Sequence, residues 1–351
     1  MANFQEALRR NPASADRWCD LREALLESGR SEKARTCFSR ALELGGESIR
    51  ILWRAGEFYF RINENKAALQ CMSRILAHDP KYDSSVFESY VHSGAPILDT
   101  LNYGIPEGRR ATQAYFQYLL RSGEVSDVQE AWNWIVSHSL ADDPLAGQYV
   151  DFLLKNQQYE AAVQAWSRHL GDRRGAYPES DFLYNGDFEF EPSASSFDWR
   201  VTKMEGVEVA RDSAVSCSGS SSLRVRFEGK ENLSYGHISQ TTVVKPGGYL
   251  FSAQVRTEGI TTDQGVGFRI SDAESSARLD IRIKNLVGTG GWTKVEERFL
   301  VPHQTRLIQI QVVRQSSWKF DNKISGTAWI DGVSLVRLTR VSEANPGQKR
   351  Q

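Results

Sequence analysis

The chain has few cysteines, no long apolar run and no excess of charge of one sign. Its four cysteines, Cys19, Cys37, Cys71 and Cys217, form no CxxC pair, which argues against a structural zinc site. Three of them fall at apolar positions of the N-terminal half, where cysteine behaves as a small buried hydrophobe. Cys217 has no partner in its own half, so no disulfide framework is indicated. No window approaches the roughly 18 apolar residues of a membrane-spanning helix. The first residues, MANFQEALRRNP, lack the apolar core of a secretion signal and read as the middle of a helix. Lysine plus arginine number 43 and aspartate plus glutamate 44, for a net charge of −1. No global field is available to gather nucleic acid or anionic lipid. GxGxxG, GxxxxGK[ST], HExxH and GxSxG are all missing. The six histidines (78, 92, 138, 169, 237 and 303) are scattered without helical metal spacing, and Asp142-Asp143 before Pro144 reads as a helix cap.

What is present is an ordinary globular composition, 40% hydrophobic and 25% charged, in 351 residues. That length accommodates about two or three domains. From Asn11 to Pro80 the chain repeats with a period of about 34 residues: Trp18 recurs as Trp53, Ala34 as Ala68, Phe38 as Met72 and Ala41 as Ile75. SADRWCDLREALLESG and SEKARTCFSRALELG carry apolar residues three and four apart, one buried stripe per helix. Gly29 ends one helix and Ser31 is expected to cap the next. These residues resemble the tetratricopeptide repeat (TPR), well over 12–80 and weakly over 107–171. The resemblance implies stacked helix pairs. Ala34 and Ala68 let helices approach, and Trp18, Phe38 and Trp53 are expected to fill the space between pairs. Pro96, Gly104 and Pro106 mark an irregular connection.

Near Gly171 the texture changes. GDRRGAYPES reads as a linker, and then come period-two segments: SLRVRFEG, HISQTTVV, YLFSAQVRTEG, GVGFRIS, ARLDIRIKNL, TKVEERFLV, RLIQIQVVRQ and AWIDGVSLVRL. So many short strands in one stretch indicate a sandwich or jelly roll. The fold expected is a multidomain α and β protein, an N-terminal all-α TPR-like helical solenoid followed by a C-terminal all-β jelly-roll sandwich. The boundaries expected are 1–172 for the helical domain, 173–182 for the linker, 183–340 for the β domain and 341–351 for a disordered tail.

Asn185-Gly-Asp-Phe-Glu189, Phe197-Asp-Trp199, the Ser218–Leu223 turn, Gln240, Gly291-Trp292 and Ala328-Trp-Ile-Asp331-Gly-Val-Ser-Leu335 carry a second resemblance. Together they are similar to the galactose-binding-like jelly roll of carbohydrate-binding modules, especially families four, nine and twenty-two. That resemblance implies a structural calcium where the first and last strands meet. Glu189 and Asp331 would give carboxylates, and Asp187 and Ser221 further oxygens. The serine turn departs from relatives that offer another carboxylate there. The reading without a metal makes Glu189 and Asp331 ordinary hydrogen-bonding turn and strand-end residues.

Sugar recognition needs aromatic platforms and planar polar groups. Strand parity turns Tyr249, Phe251, Ala253, Val255, Phe268, Ile270, Ile308, Ile310 and Val312 inward. Gln254, Arg256, Arg269, Gln309 and Gln311 then point outward as one polar face, against the plainer reading of a solvated surface. Tyr235, His237 and Trp318 are expected in loops as platforms, and Trp199, Trp292 and Trp329 in the core. The favoured expectation is a non-catalytic recognition scaffold. Its helices engage a protein partner and its jelly roll a glycan, in bacterial envelope or exopolysaccharide assembly. That places it in the periplasm or secreted, with an upstream signal or anchor beyond this sequence. The alternatives are a polysaccharide-modifying or -cleaving enzyme, which needs two acids such as Asp280, Glu274 or Glu296 converging in one cleft, and an adaptor whose jelly roll no longer binds sugar. An aromatic-free sheet face would favour the adaptor.

Overall fold

A computed structural model describes Glu6 and residues 8–338; the expected tail, 341–351, lies outside them. The chain divides into two compact units, Met1–Ala141 and Asp142–Gln351. Among the described residues no helix is long and apolar enough to cross a membrane.

The first unit is helical. Helices α1 (Ala15–Glu27), α2 (Ser31–Gly45), α3 (Ile49–Arg61) and α4 (Asn65–His78) form two antiparallel pairs. Gly29 closes α1 with φ of 72°, a left-handed conformation that glycine adopts without steric cost. Ser31 is the first residue of α2, whose cap position is Arg30, so the expected serine cap is not made. Ala34 and Ala68 are fully buried, and Phe38 stacks on Phe58 at 4.8 Å. The Arg22 guanidinium lies 4.4 Å from the Phe38 ring centre, a cation held against an aromatic face. Trp18 and Trp53 are only half-buried: their indole N–H groups donate to the Pro12 carbonyl and to Glu57. The repeat period is visible in the ion pairs Asp16–Arg50 and Asp20–Arg54, each spanning 34 positions between α1 and α3. Helix α5 (Asp83–Ser93), a π-helical turn at Thr100–Gly104, α6 (Arg109–Ser122) and α7 (Val125–Ser137) follow, with short helical turns at Pro80–Tyr82 and Ile97–Asp99.

The second unit opens with α8 (Asp143–Lys155) and α9 (Tyr159–Leu170). This helix pair, assigned from sequence to the helical domain, clusters with the β-sandwich. Asp142 caps α8 by accepting from the Leu145 N–H at 3.0 Å, as expected. Asp151 of α8 accepts from the Ser196 hydroxyl and from Arg200, and the Tyr159 hydroxyl of α9 donates to Glu274. Within residues 173–182, read as a linker, 173–176 are exposed, whereas Tyr177 is buried among Tyr184 and Phe197.

Ten strands follow: β1 (Arg200–Val201), β2 (Val207–Asp212), β3 (Ser222–Glu228), β4 (Tyr235–Val243), β5 (Gly247–Ile260), β6 (Val266–Asp272), β7 (Asp280–Leu286), β8 (Gly288–Val301), β9 (Leu307–Arg314) and β10 (Ser325–Arg337). They form two antiparallel sheets, β1-β4-β9-β6-β7 and β2-β3-β10-β5-β8. Val225, Phe251, Val255, Phe268, Ile270, Ile308, Ile310 and Leu335 fill the space between them. Each such side chain contributes about 1.5–3 kcal/mol on burial. Antiparallel register sends all connecting loops to two ends. The β3–β4, β5–β6 and β9–β10 loops share one end, here called the tip. The opposite end, the base, carries Glu274 and Arg306, which bond α9.

Candidate functional site

Parity alone placed five polar side chains on one face, and the sheet order separates them. On the outer face of the first sheet, Arg200, Ser239, Gln311, Arg269 and Arg282 form one cross-strand row. Thr241, Gln309, Ser271 and Asp280 form the next. Gln254 and Arg256 lie on β5 of the other sheet, opposite Asp331 and Trp329. The expected single polar face is therefore two faces, back to back. Period two decides inward or outward; only strand pairing decides which sheet.

On the first face Arg269 forks onto Asp280, Nε to Oδ1 at 2.7 Å and Nη2 to Oδ2 at 3.0 Å. This pairing pulls the Asp280 carboxyl below its usual range. The aromatic side chains of these strands, Tyr235 and Phe268, both face inward. Tyr235 is thus no loop platform: it opens β4, meets Phe227 edge-on at 5.9 Å, and burial raises its pKa. His237 is half-buried beside it at 5.3 Å. On the second face the Trp329 ring lies 5.3 Å from the Arg256 guanidinium, and its N–H donates to Asp212. Trp329 is buried, but on the outer face under this cation and not between the sheets. Trp199 is a true core residue packed on Phe188, whereas Trp292 is only half-buried on the edge strand β8.

The tip holds the strongest aromatic signal. Trp318 is 99% and Phe320 105% exposed, on the β9–β10 loop. That loop is pinned from below. Arg314 continues the inward parity of β9 and is 1% exposed. Its guanidinium donates to the Asn232 side chain at 2.9 Å, to the Leu233, Gln264 and Asn322 carbonyls, and so ties three tip loops together. Ser317, also buried, donates to Asp263 at 2.6 Å and exchanges bonds with Asn232 through its own backbone. The Asp263 carboxyl is held below its usual range by that serine. Two large apolar side chains are thus held in water on a loop anchored by buried polar groups. Sequence reasoning picked out Trp318 and missed Phe320 and Arg314. The available signal for Arg314 was a charged residue on the apolar parity of β9.

The four expected metal ligands behave differently. Glu189, Ser221 and Asp331 do meet, at the 216–221 turn. Glu189 Oε1 accepts the Ser220 and Ser221 N–H groups, and its other oxygen accepts the Ser220 hydroxyl. The fully buried Asp331 accepts N–H groups from Cys217, Ser218 and Gly332. The Ser220 bonds hold the Glu189 carboxyl below its usual range. Calcium takes six to eight oxygens; here the carboxylate lone pairs face N–H donors. Among the described residues no group of three or more His, Cys, Asp or Glu side chains converges. Asp187 lines a cleft with Arg173, Tyr177 and Gly332.

The acids considered for catalysis are each ion-paired, and Glu296 lies on the other sheet from Asp280. Asp280 is on β7 paired with Arg269, Glu274 is at the base paired with Arg278, and Glu296 is on β8 paired with Lys294.

No family model matches the chain, and no curated protein matches it. Among solved structures, the module TmCBM61 in complex with β-1,4-galactotriose is 21% identical with a TM-score of 0.32, over 45% of this chain and 99% of that one. The CBM22-1 xylan-binding domain of Paenibacillus barcinonensis Xyn10C is 14% identical with a TM-score of 0.30, over 40% and 85%. A second family 22 xylan-binding domain is 17% identical with a TM-score of 0.33, over 46% and 97%. Likeness at this level concerns the β-sandwich only, and the functional argument rests on the side chains of this chain.

Proposed function

We propose that this protein is a non-catalytic recognition scaffold whose β-sandwich binds a glycan at the tip, with Trp318 and Phe320 as stacking platforms. What carries the reading is the exposure of both rings on a loop anchored by the buried Arg314 and Ser317. Aromatic faces stack on the C–H faces of sugars, and the polar row running through Ser239, Gln311 and Arg269 supplies donors and acceptors for hydroxyls. The helical unit has a hollow of about 470 Å³ lined by Ile49, Arg50, Trp53, Arg54, Tyr82 and Ser85, suited to a protein partner. Two modest sites on one chain raise local concentration by avidity. On this reading the protein works in the cell envelope or outside the cell, in exopolysaccharide assembly. The test is a polysaccharide-binding screen of the full chain beside Trp318→Ala/Phe320→Ala. Saturable binding to one polysaccharide class, lost in the double variant, is expected. A second reading follows from the lack of outward aromatic side chains on the first sheet: an adaptor whose tip docks a protein. Clean negatives on folded protein would favour it and sink the glycan reading.

A further inference from the structure

We infer that the second unit has another binding site, at the base of the sandwich, that takes one neutral sugar ring or a polyol of that size. It is a cleft of about 240 Å³ walled by Arg173 to Tyr177, by Leu183 to Asp187 with Phe190, and by Gly332 to Ser334 of β10. It shares no residue with the tip.

The cleft has a built aromatic wall. Phe190 stacks on Tyr184 with centres 6.3 Å apart and planes 13° from parallel, and Tyr177 meets Tyr184 edge-on. Phe190 is 40% exposed, so one face is open. Its backbone is clamped at both polar atoms by one side chain: its N–H donates to Asn185 Oδ1 at 3.0 Å, and its carbonyl accepts from Asn185 Nδ2 at 2.9 Å. Asn185 is itself buried, bonded to Asp198, and held at φ of 53°. Asparagine enters this left-handed region readily because its short side chain bonds the local backbone. Gly186 lets the wall meet β10: a Cβ there would lie 1.8 Å from the Val333 carbonyl oxygen.

The polar groups choose the ligand. Tyr177 is 2% exposed, yet among the described residues its hydroxyl has no hydrogen-bond partner. A buried donor without a partner is rare enough to call for one. Asp187 adds an exposed carboxylate on the rim. Arg173 is already forked onto Asp143, and Arg174 is paired with Glu179. With both guanidinium groups taken, an anion gains little here. The unmet demands are an acceptor for Tyr177, a hydroxyl donor for Asp187 and an apolar face for Phe190, and a pyranose offers all three. The volume, below the roughly 300–1,000 Å³ of drug-sized sites, admits one ring and not a chain.

The full chain is titrated with methyl β-galactoside, methyl β-glucoside and methyl β-xyloside, followed by saturation-transfer NMR. At least one glycoside should bind saturably. Tyr177→Phe, which removes a single oxygen, should weaken it about threefold to tenfold, the value of one hydrogen bond. Phe190→Ala should weaken it about tenfold. Absence of binding by all three glycosides overturns the proposal. So does binding that survives both cleft substitutions, or that is lost only with Trp318→Ala. Polysaccharide binding lost in Trp318→Ala, with glycoside binding intact, would separate the two sites.

Discussion

Arg314 gives the sharpest test of how the tip is built. Replacing it with methionine keeps most of the volume but removes donors to Asn232, Leu233, Gln264 and Asn322. Each bond from a charged donor is worth about 1.5–3 kcal/mol. Their sum overstates the loss, because water can reach acceptors at a loop end. Four acceptors left unpaired, each at the low end of about 1–3 kcal/mol, make a net loss of ~3–5 kcal/mol. For a unit of roughly 200 residues, each kcal/mol lowers Tm by about 2–4 °C, so a fall of about 6–20 °C is expected. Arg314→Lys keeps the charge but not the fork, and should still cost at least ~2 kcal/mol. Urea unfolding of the full chain, read by tryptophan fluorescence and circular dichroism, measures both. A loss under ~1 kcal/mol in Arg314→Met would refute the idea that one buried guanidinium organises the tip. The variant should also bind polysaccharide more weakly under conditions where it stays folded, because Trp318 and Phe320 lose their footing.

Trp318→Ala, by contrast, should leave the unfolding midpoint within about 0.5 kcal/mol, since an exposed side chain has little folded-state contact to lose; a larger drop would mean that the ring packs in solution. Asp331→Ala strands three N–H groups and should cost ~2–4 kcal/mol. Its companion measurement is Tm with EDTA and with calcium: coincident melting curves are expected from carboxylates already satisfied by N–H donors, and a calcium-dependent rise would restore the metal reading. Asp143 is bonded first by Arg173 and then by His169, which lowers its pKa from 3.8 to about 2. A depressed folded-state pKa means stability that is present above 3.8 and is lost as pH falls toward 2. Asp143→Asn should therefore flatten the stability profile across that window, and an unchanged acid limb would show that the pair contributes nothing.

Much of the architecture was legible locally. The change from a period of 3.6 to a period of two marks where helices give way to strands, because each period reflects which side chains share a face. The 34-residue repeat put Ala34 and Ala68 at equivalent positions, and both are fully buried. Asp142 announced its helix by side-chain chemistry alone. Parity turned Phe251, Phe268 and Ile310 inward correctly. What only the tertiary structure decided is which distant strands are neighbours. Parity cannot tell one sheet from the other, so Gln254 and Arg256 were grouped with Arg269, Gln309 and Gln311, which lie on the opposite face. Tyr235 opens a strand where a loop was expected, and Trp329 faces outward because it alternates with the inward Ala328 and Ile330. The base cleft brings Tyr177, Tyr184 and Phe190 against Val333, residues up to about 150 positions apart, and no local pattern records such a meeting. Local periodicity sets each element and the face it buries, whereas long-range pairing sets which side chains converge, and here convergence makes the sites.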